Sequence, residues 1–304
     1  MVIPCYNDGR TIMDTVRSTI GQDQSEVIIV NDGSEDAHTI SQLRTLEDEG
    51  YAVISRQNGG VGAALTTGAL AASAPYIFPL GADDLLLEGS LGRLADHLDG
   101  KPDLALAWGD FLMFGDYDKY GLSAPSLDPW EITYTNDVPG LVLIRRDVLL
   151  TVGGWQLRNA PDWDLAMALA ERGFAGERLP IAVFRYRRHG QRTGNDTIDR
   201  YPEVVRLLRS RHPDLFRDRR QHARLSRVPR AVRLAVDGVD RLPGLGVSRR
   251  AGVIGGIIHG HRRLVMGPEV APIARSARIG IPSLGSRLAE VARQKVTHPT
   301  RRRI

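Results

Sequence analysis

A chain of 304 residues can bury a full core and has room for one large or two modest domains. Its single cysteine, Cys5, excludes a disulfide framework and any multi-cysteine zinc site, which suits a reducing cytosol. The net charge of +4 averages two unlike regions: residues 1–200 hold 17 Lys and Arg against 29 Asp and Glu, a balance of −12, whereas residues 201–304 hold 23 against 7, a balance of +16. That asymmetry predicts two functional units, 1–200 and 201–304.

Val2-Ile3-Pro4 reads as the end of a buried strand that is short at its amino end, since a typical strand takes about five or six residues. A start placed too late and a clipped first strand would each account for this. No charged leader precedes it, and no run approaches the roughly 18 apolar residues that span a bilayer, so neither a signal peptide nor an ordinary membrane span is expected. Turn chemistry at Cys5-Tyr6-Asn7-Asp8-Gly9 leads into a helix over 11–20 with Ile12, Met13, Val16 and Ile20 on its apolar face. Val27-Ile28-Ile29-Val30 is a second strand, closed by Asn31-Asp32-Gly33-Ser34 and followed by a helix through Leu46. Residues 51–55 give a third strand, 59–74 a helix and 76–80 a fourth strand. This alternation predicts an α/β fold with a Rossmann-like, mostly parallel sheet flanked by helices.

In such open sheets ligands bind at the carboxyl ends of the strands. Asn7-Asp8, Asn31-Asp32, Asn58-Gly59-Gly60 and Asp83-Asp84 each follow an apolar strand. Any one of them reads equally as turn chemistry, but four on one rim point to a ligand edge. The glycines at 59, 60 and 62 can admit a phosphate to backbone N–H groups at a helix start, although the run is neither a dinucleotide fingerprint nor a Walker sequence. Asp83-Asp84 is either a helix-capping turn or a site for a divalent cation carrying a phosphate. Adjacent carboxylates disfavour each other's ionisation, and hard cations prefer carboxylate oxygen.

Taken in order and spacing, Val2-Ile3-Pro4-Cys5-Tyr6-Asn7, Ile28-Ile29-Val30-Asn31-Asp32-Gly33-Ser34, Asn58-Gly59-Gly60-Val61-Gly62-Ala63-Ala64 and Ala82-Asp83-Asp84 resemble the family 2 glycosyltransferases, over residues 1–195. The resemblance implies the GT-A fold and an inverting, metal-dependent transfer of sugar from a nucleotide-diphosphate sugar to an acceptor hydroxyl. It implies a donor-nucleotide pocket at Pro4, Tyr6, Asn7, Asp32, Asn58, Gly59, Gly60 and Asp83, with Mg²⁺ or Mn²⁺ on Asp83 and Asp84. The family commonly has a further Asp two residues before Asp83, where this chain has Gly81. Gly153-Gly154-Trp155 followed by Pro161-Asp162-Trp163-Asp164 is similar to the family's acceptor site. That similarity implies Asp162 as catalytic base, Pro161 in place of the usual Glu, and acceptor binding by Trp155 and Asp164. Arg185-Tyr186-Arg187-Arg188-His189 resembles the segment that closes the family's core and implies His189 as a contact to metal or diphosphate. The residues themselves leave alternatives open: Trp155 as core, Asp162 and Asp164 as helix N-terminal charge, and His189 as structural.

Residues 117–130, rich in aromatic, Pro and Asp residues, read as a loop facing the acceptor. Beyond Tyr201 the chain becomes a basic, mainly helical extension, with Val228, Ala231, Val232, Ala235, Val236 and Val239 at helical spacing among arginines. Such a helix is suited to packing on the catalytic unit, to an acidic partner, or to an anionic membrane surface through residues 205–304. Nucleic acid is poorly supported, because no aromatic-interleaved motif accompanies the arginines. Gly81 and Pro161 also suit a catalytically weak or inactive nucleotide-sugar-binding scaffold, and the basic tail a peripheral membrane adaptor. The expectation that unites most features is a cytoplasmic enzyme, peripheral at the inner membrane face, acting on a glycan or lipid-linked acceptor in cell-surface glycan synthesis.

Overall fold

The computed structural model describes residues 1–22, 25–116, 118–188 and 200–276. The first half contains β1 (Val2–Cys5), α1 (Ile12–Ser18), β2 (Ile28–Asn31), α2 (Ala37–Asp48), β3 (Ala52–Ser55), α3 (Val61–Ala71), β4 (Tyr76–Ile77), β5 (Leu85–Leu86), α4 (Ser90–Asp99), β6 (Leu104–Gly115) and β7 (Lys119–Gly121). After a 3₁₀ turn at Glu131–Thr133 come β8 (Leu143–Arg145), α5 (Arg146–Thr151), α6 (Pro161–Glu171) and β9 (Ala175–Arg188). Among the described residues the helices that follow are α7 (Tyr201–Arg211), α8 (Pro213–Arg217), α9 (Arg219–Leu225), α10 (Arg230–Asp240) and α11 (Val247–Ser276).

Strands β1, β2 and β3 pair in parallel, with Val2 opposite Ile28 and Ile28 opposite Ala52. Residues 78–80 extend this sheet beyond β1: Val2 N donates to Phe78 O, and Leu80 N to Val2 O, both at 2.9 Å. The same stretch begins as β4, which pairs antiparallel with β8. The strands therefore follow one another as β3-β2-β1, then 76–80, then β8-β6-β9-β5. Side chains alternate across the sheet: Val2, Ile28 and Val30 pack with Ala64, Leu65 and Ala69 of α3, while Ile3, Cys5 and Ile29 pack with α1 and α2.

The parallel first half matches the alternation read from sequence, but the second half is mixed rather than mostly parallel. Strand β6 pairs antiparallel with β7 and β8 and parallel with β9, and β5 pairs antiparallel with β9. Connectivity explains the difference. A short connection such as β6 to β7 returns antiparallel, whereas the β6–β9 parallel pair is separated by the crossover that contains α5 and α6.

One sequence expectation is corrected by packing. The acceptor-facing loop at 117–130 is largely core, for Tyr120, Ala124, Leu127 and Trp130 are buried; Tyr117 lies outside the described residues. The Tyr120 hydroxyl donates to buried Asp110 at 2.6 Å, and Arg178 pairs with the same carboxylate at 2.5 Å. Of the readings offered for the region beyond 200, packing on the first region is seen at Val204, Leu208 and Leu215, which join its core. Val236, Ile254 and Ile258 enclose Trp130 and Tyr134, so the apolar stripe beyond residue 228 packs on the rest of the chain. No helix among the described residues is long and apolar enough to cross a membrane.

Candidate active site

The turns after β1 and β2 are tied to each other. Asn7, with φ of 59°, accepts at its Oδ1 from Glu35 N and Asp36 N at 2.9 and 3.0 Å, and its own N–H donates to Ser34 Oγ at 3.1 Å. Asn31 Oδ1 accepts from Ser34 N at 2.9 Å. Asp32 is buried, and its carboxylate accepts from Gly59 N at 3.0 Å and Gly60 N at 2.7 Å while pairing with Arg56 at 3.3 Å. A carboxylate that gathers two amide donors at a helix entry is a strong, charge-assisted cap. Asp32 thus shapes the 58–60 loop, and those two N–H groups turn toward it rather than toward a phosphate. Pro4 is half-buried within β1, and Tyr6 stands on the rim with 47% of its surface exposed.

The acidic pair is held from two sides. Thr15 Oγ1 lies 2.9 and 2.8 Å from the carbonyl oxygens of Ala82 and Asp84. From the end of β9, Arg187 N donates to Asp84 Oδ1 at 2.9 Å and Arg187 Nε to Asp83 O at 2.7 Å. Asp84 is buried and Asp83 half-buried. The next helix, α4, begins seven residues after Asp83 with Gly89 at its N-cap, so the pair is not a helix cap. A Cβ at Gly81 would lie 2.9 Å from Asp84 Oδ2 and 3.0 Å from Asp83 Oδ1. Two hard oxygen donors therefore flank one small space, a donor set that fits Mg²⁺ or Mn²⁺, which keeps several waters and binds through one or two carboxylates plus phosphate. Among the described residues no group of three or more His, Cys, Asp or Glu gathers for a metal, and His189 lies outside them.

Asp162 occupies the first turn of α6, behind Pro161 at the position where a missing N–H leaves no hydrogen bond unmade. Its carboxyl abuts Gly140, whose added Cβ would lie 2.6 Å from Asp162 Oδ2. Burial pushes the Asp162 pKa up to about 6, against the pull of the nearby Trp155 indole N–H. That N–H is buried and lacks a hydrogen bond of good geometry among the described residues, so its pull on Asp162 is that of an oriented dipole. Alanine at 140 must displace the Asp162 carboxyl. Because a misplacement of about 1 Å can cost about 10²-fold in rate, Gly140→Ala is expected to lower turnover at least tenfold with the thermal midpoint little changed. Parallel turnover and melting measurements check this, and an unchanged rate would separate Asp162 from the chemistry.

The two residues expected at the acceptor, Trp155 and Asp164, are both buried. Trp155 is buried in the core, where Thr66 Oγ1 accepts from its main-chain N–H at 2.9 Å and donates to its carbonyl at 3.1 Å; its ring is not an exposed platform. Asp164, two residues past Asp162, faces inward. It takes Arg211 at 2.6 Å and His212 Nε2 at 3.0 Å, and His212 Nδ1 meets Glu171 at 3.1 Å. Against burial, which would raise it, hydrogen bonds from His212 and Arg211 hold the Asp164 pKa down. Against burial, which would lower it, hydrogen bonds to Asp164 and Glu171 hold the His212 pKa up. Asp164 is thereby a clasp between α6 and α7.

Further contacts join these parts. Arg158 lays its stem over Gly60 and donates from Nη2 to Asn58 Oδ1 at 3.0 Å. Gly62 of α3 abuts Trp155, Leu157 O and Pro161. The 58–60 loop and the Asp162 turn thus form adjoining walls. Gly140 and Arg158 make contacts across long sequence separations, and no local pattern marks them; Arg187 lies in the segment read as closing the core, but nothing in its spacing shows that it holds Asp83 and Asp84.

Residues 1–148 match the model of Glycosyl transferase family 2. A poly-beta-1,6-N-acetyl-D-glucosamine synthase of Staphylococcus aureus is 28% identical over 112 residues, covering 36% of this chain and 27% of that protein. An uncharacterized glycosyltransferase of Rickettsia conorii is 26% identical over 123 residues, 39% of this chain and 19% of the relative. The chain thus matches about a quarter or less of the length of these relatives. Among solved structures, S. aureus TarS 1–349 in complex with UDP-GlcNAc aligns with a TM-score of 0.57 at 15% identity, covering 86% of this chain and 90% of that one. The same protein in complex with UDP gives 0.53 at 18% identity, covering 69% and 64%.

Proposed function

We propose, from the match of residues 1–148 to the Glycosyl transferase family 2 model, that the chain is an inverting glycosyltransferase that moves a sugar from a nucleotide-diphosphate donor to an acceptor hydroxyl. The observation that carries this reading is Asp162: an acid with its pKa raised to about 6, on the turn whose Pro161 abuts Gly62, just past the 58–60 loop that Asp32 shapes. A carboxylate tuned toward neutrality is an effective general base. It takes the proton of the acceptor hydroxyl as the acceptor oxygen bonds to the anomeric carbon, and the bond from that carbon to the diphosphate oxygen breaks. The proton remains on Asp162, and the electron pair leaves with the nucleoside diphosphate. Asp83 and Asp84 would hold Mg²⁺ or Mn²⁺, which when bound offsets the negative charge of the diphosphate. Tyr6, Asn7 and Asn58 stand on the rim where base and ribose would lie.

UDP-GlcNAc is the first donor to test, because TarS, which shares this fold, has been captured with it. A panel of UDP-, GDP- and dTDP-sugars is expected to show one nucleotide class that raises the thermal midpoint in Mn²⁺. The stabilisation at a hundredfold excess over Kd is about 2.7 kcal/mol. The absence of any shift with Mn²⁺ or Mg²⁺ would sink the donor reading. A shift without hydrolysis or transfer would instead identify a binding scaffold.

A further inference from the structure

Helices α10 and α11 form a hairpin turned at Gly244, which has φ of 80°. The inner side of the hairpin is apolar, with Val236, Ile254 and Ile258 against Trp130 and Tyr134. Its acids also face inward. Asp237 accepts from the Tyr134 hydroxyl at 3.2 Å, and Asp240 pairs with Arg219 at 3.1 Å and Arg250 at 3.8 Å. The outer side is different in kind. Between residues 219 and 267 the exposed positions include six arginines and no acid. The next acid along α11, Glu269, is paired with buried Arg178 at 3.3 Å.

Leucines stand out among those arginines: Leu225, Leu234 and Leu264 are 76%, 59% and 79% exposed. Arg230, Leu234 and Arg241 recur at spacings of four and seven residues, so they share the face of α10 opposite Val232, Val236 and Val239. A merely solvated helix face mixes both signs of charge, and a single exposed leucine needs no explanation. Leucines set among arginines, on a face from which every acid has been turned inward and paired, match the chemistry of a helix lying in a membrane interface. A nucleic acid would be met by arginine interleaved with aromatic residues, and no Phe, Tyr or Trp is exposed on this stretch.

We propose that the outer face of α9, α10 and α11 docks on an anionic lipid surface, its arginines meeting phosphate headgroups and its leucines entering the acyl boundary. The docking is independent of the catalytic reading, because vesicle binding holds or fails whether or not sugar is transferred. The full chain is expected to sediment with phosphatidylcholine vesicles containing about 30% phosphatidylglycerol at about 0.1 M salt, and not with pure phosphatidylcholine. Each basic residue near an anionic leaflet is worth roughly a fivefold gain in partition. The triple variant Arg227→Gln, Arg230→Gln, Arg241→Gln should therefore lose at least tenfold. The variant Leu225→Ser, Leu234→Ser, Leu264→Ser should lose vesicle binding while keeping its retention on heparin.

All variants are compared at an unchanged thermal midpoint, with single Arg230→Gln and Leu234→Ser proteins replacing any triple that melts early. No sedimentation, equal binding to both vesicle types, or wild-type binding by either variant overturns the proposal. So does velocity sedimentation that shows a dimer dispersed by the leucine variant in a protein that ignores vesicles.

Discussion

Replacing Asp162 by asparagine is expected to abolish sugar transfer and at the same time to make the protein melt at a higher temperature. Removal of a general base typically costs about 10²–10⁴-fold in rate. The stability gain follows from the pKa of about 6 against an ordinary value of 3.8. The folded protein prefers the protonated acid, so wild-type stability falls as pH rises from the lower value through the upper one. At neutral pH that penalty is at most on the order of 2–3 kcal/mol, and neutral asparagine does not carry it. The wild-type rate should climb through pH 6 to a plateau as the carboxylate forms. The two effects separate a base from a structural acid, because loss of a structural acid lowers the melting temperature. An Asn variant that melts early, or that loses nucleotide binding as fully as transfer, would remove Asp162 from the role of base.

The largest loss of stability is expected from Arg262→Met. Arg262 is buried on α11, where it hydrogen-bonds Glu131 and lies 3.0 Å from Asp137. Burial raises the Glu131 pKa to about 7 even though Arg262 pulls it down. Removing one partner of a buried ion pair costs about 3–5 kcal/mol, because the other charge is left without compensation. With Arg262 gone the Glu131 pKa rises further and the side chain takes up a proton at neutral pH. The folded state then binds a proton that the unfolded state releases, so the variant loses stability as pH rises above the ordinary carboxylate range. Melting curves should show the variant nearer to wild type at low pH than at high pH, and Glu131→Leu in the same chain should restore much of the loss. A variant that melts with the wild type would show that α11 contributes little to the fold.

How much of this was legible in the sequence depends on how local each interaction is. Strands β1 to β3 were legible because β-branched runs such as Ile28-Ile29-Val30 end in turn residues, and their helices keep an apolar period. The clustering of Asn7, Asp32, Asn58 and Asp83 followed from topology. That Asp32 serves the loop of Gly59 and Gly60 did not, because two hydrogen bonds across 27 and 28 residues leave no trace in spacing. The mixed half of the sheet was hidden for the same reason: pairing between Leu104 and Ala175 spans α5 and α6. Asp162 and Asp164 look alike in sequence, yet two residues along a helix turn a side chain by roughly half a circle. One acid therefore faces Gly140 and the other His212. Aromatic and proline content suggested a loop at 117–130, where Tyr120 and Trp130 are needed to fill the core.

Gly81 has a bearing on how this site can change over time. The space that a side chain there would enter is already bordered by the carboxylates of both Asp83 and Asp84. An aspartate placed at 81 would not simply add a third acid; its Cβ would meet carboxylate oxygens at 2.9 and 3.0 Å, so the Asp83 and Asp84 side chains would have to turn to admit it. The effect of any side chain at 81 therefore depends on what stands at 83 and 84: the three positions are coupled, and a change at one is felt through the other two.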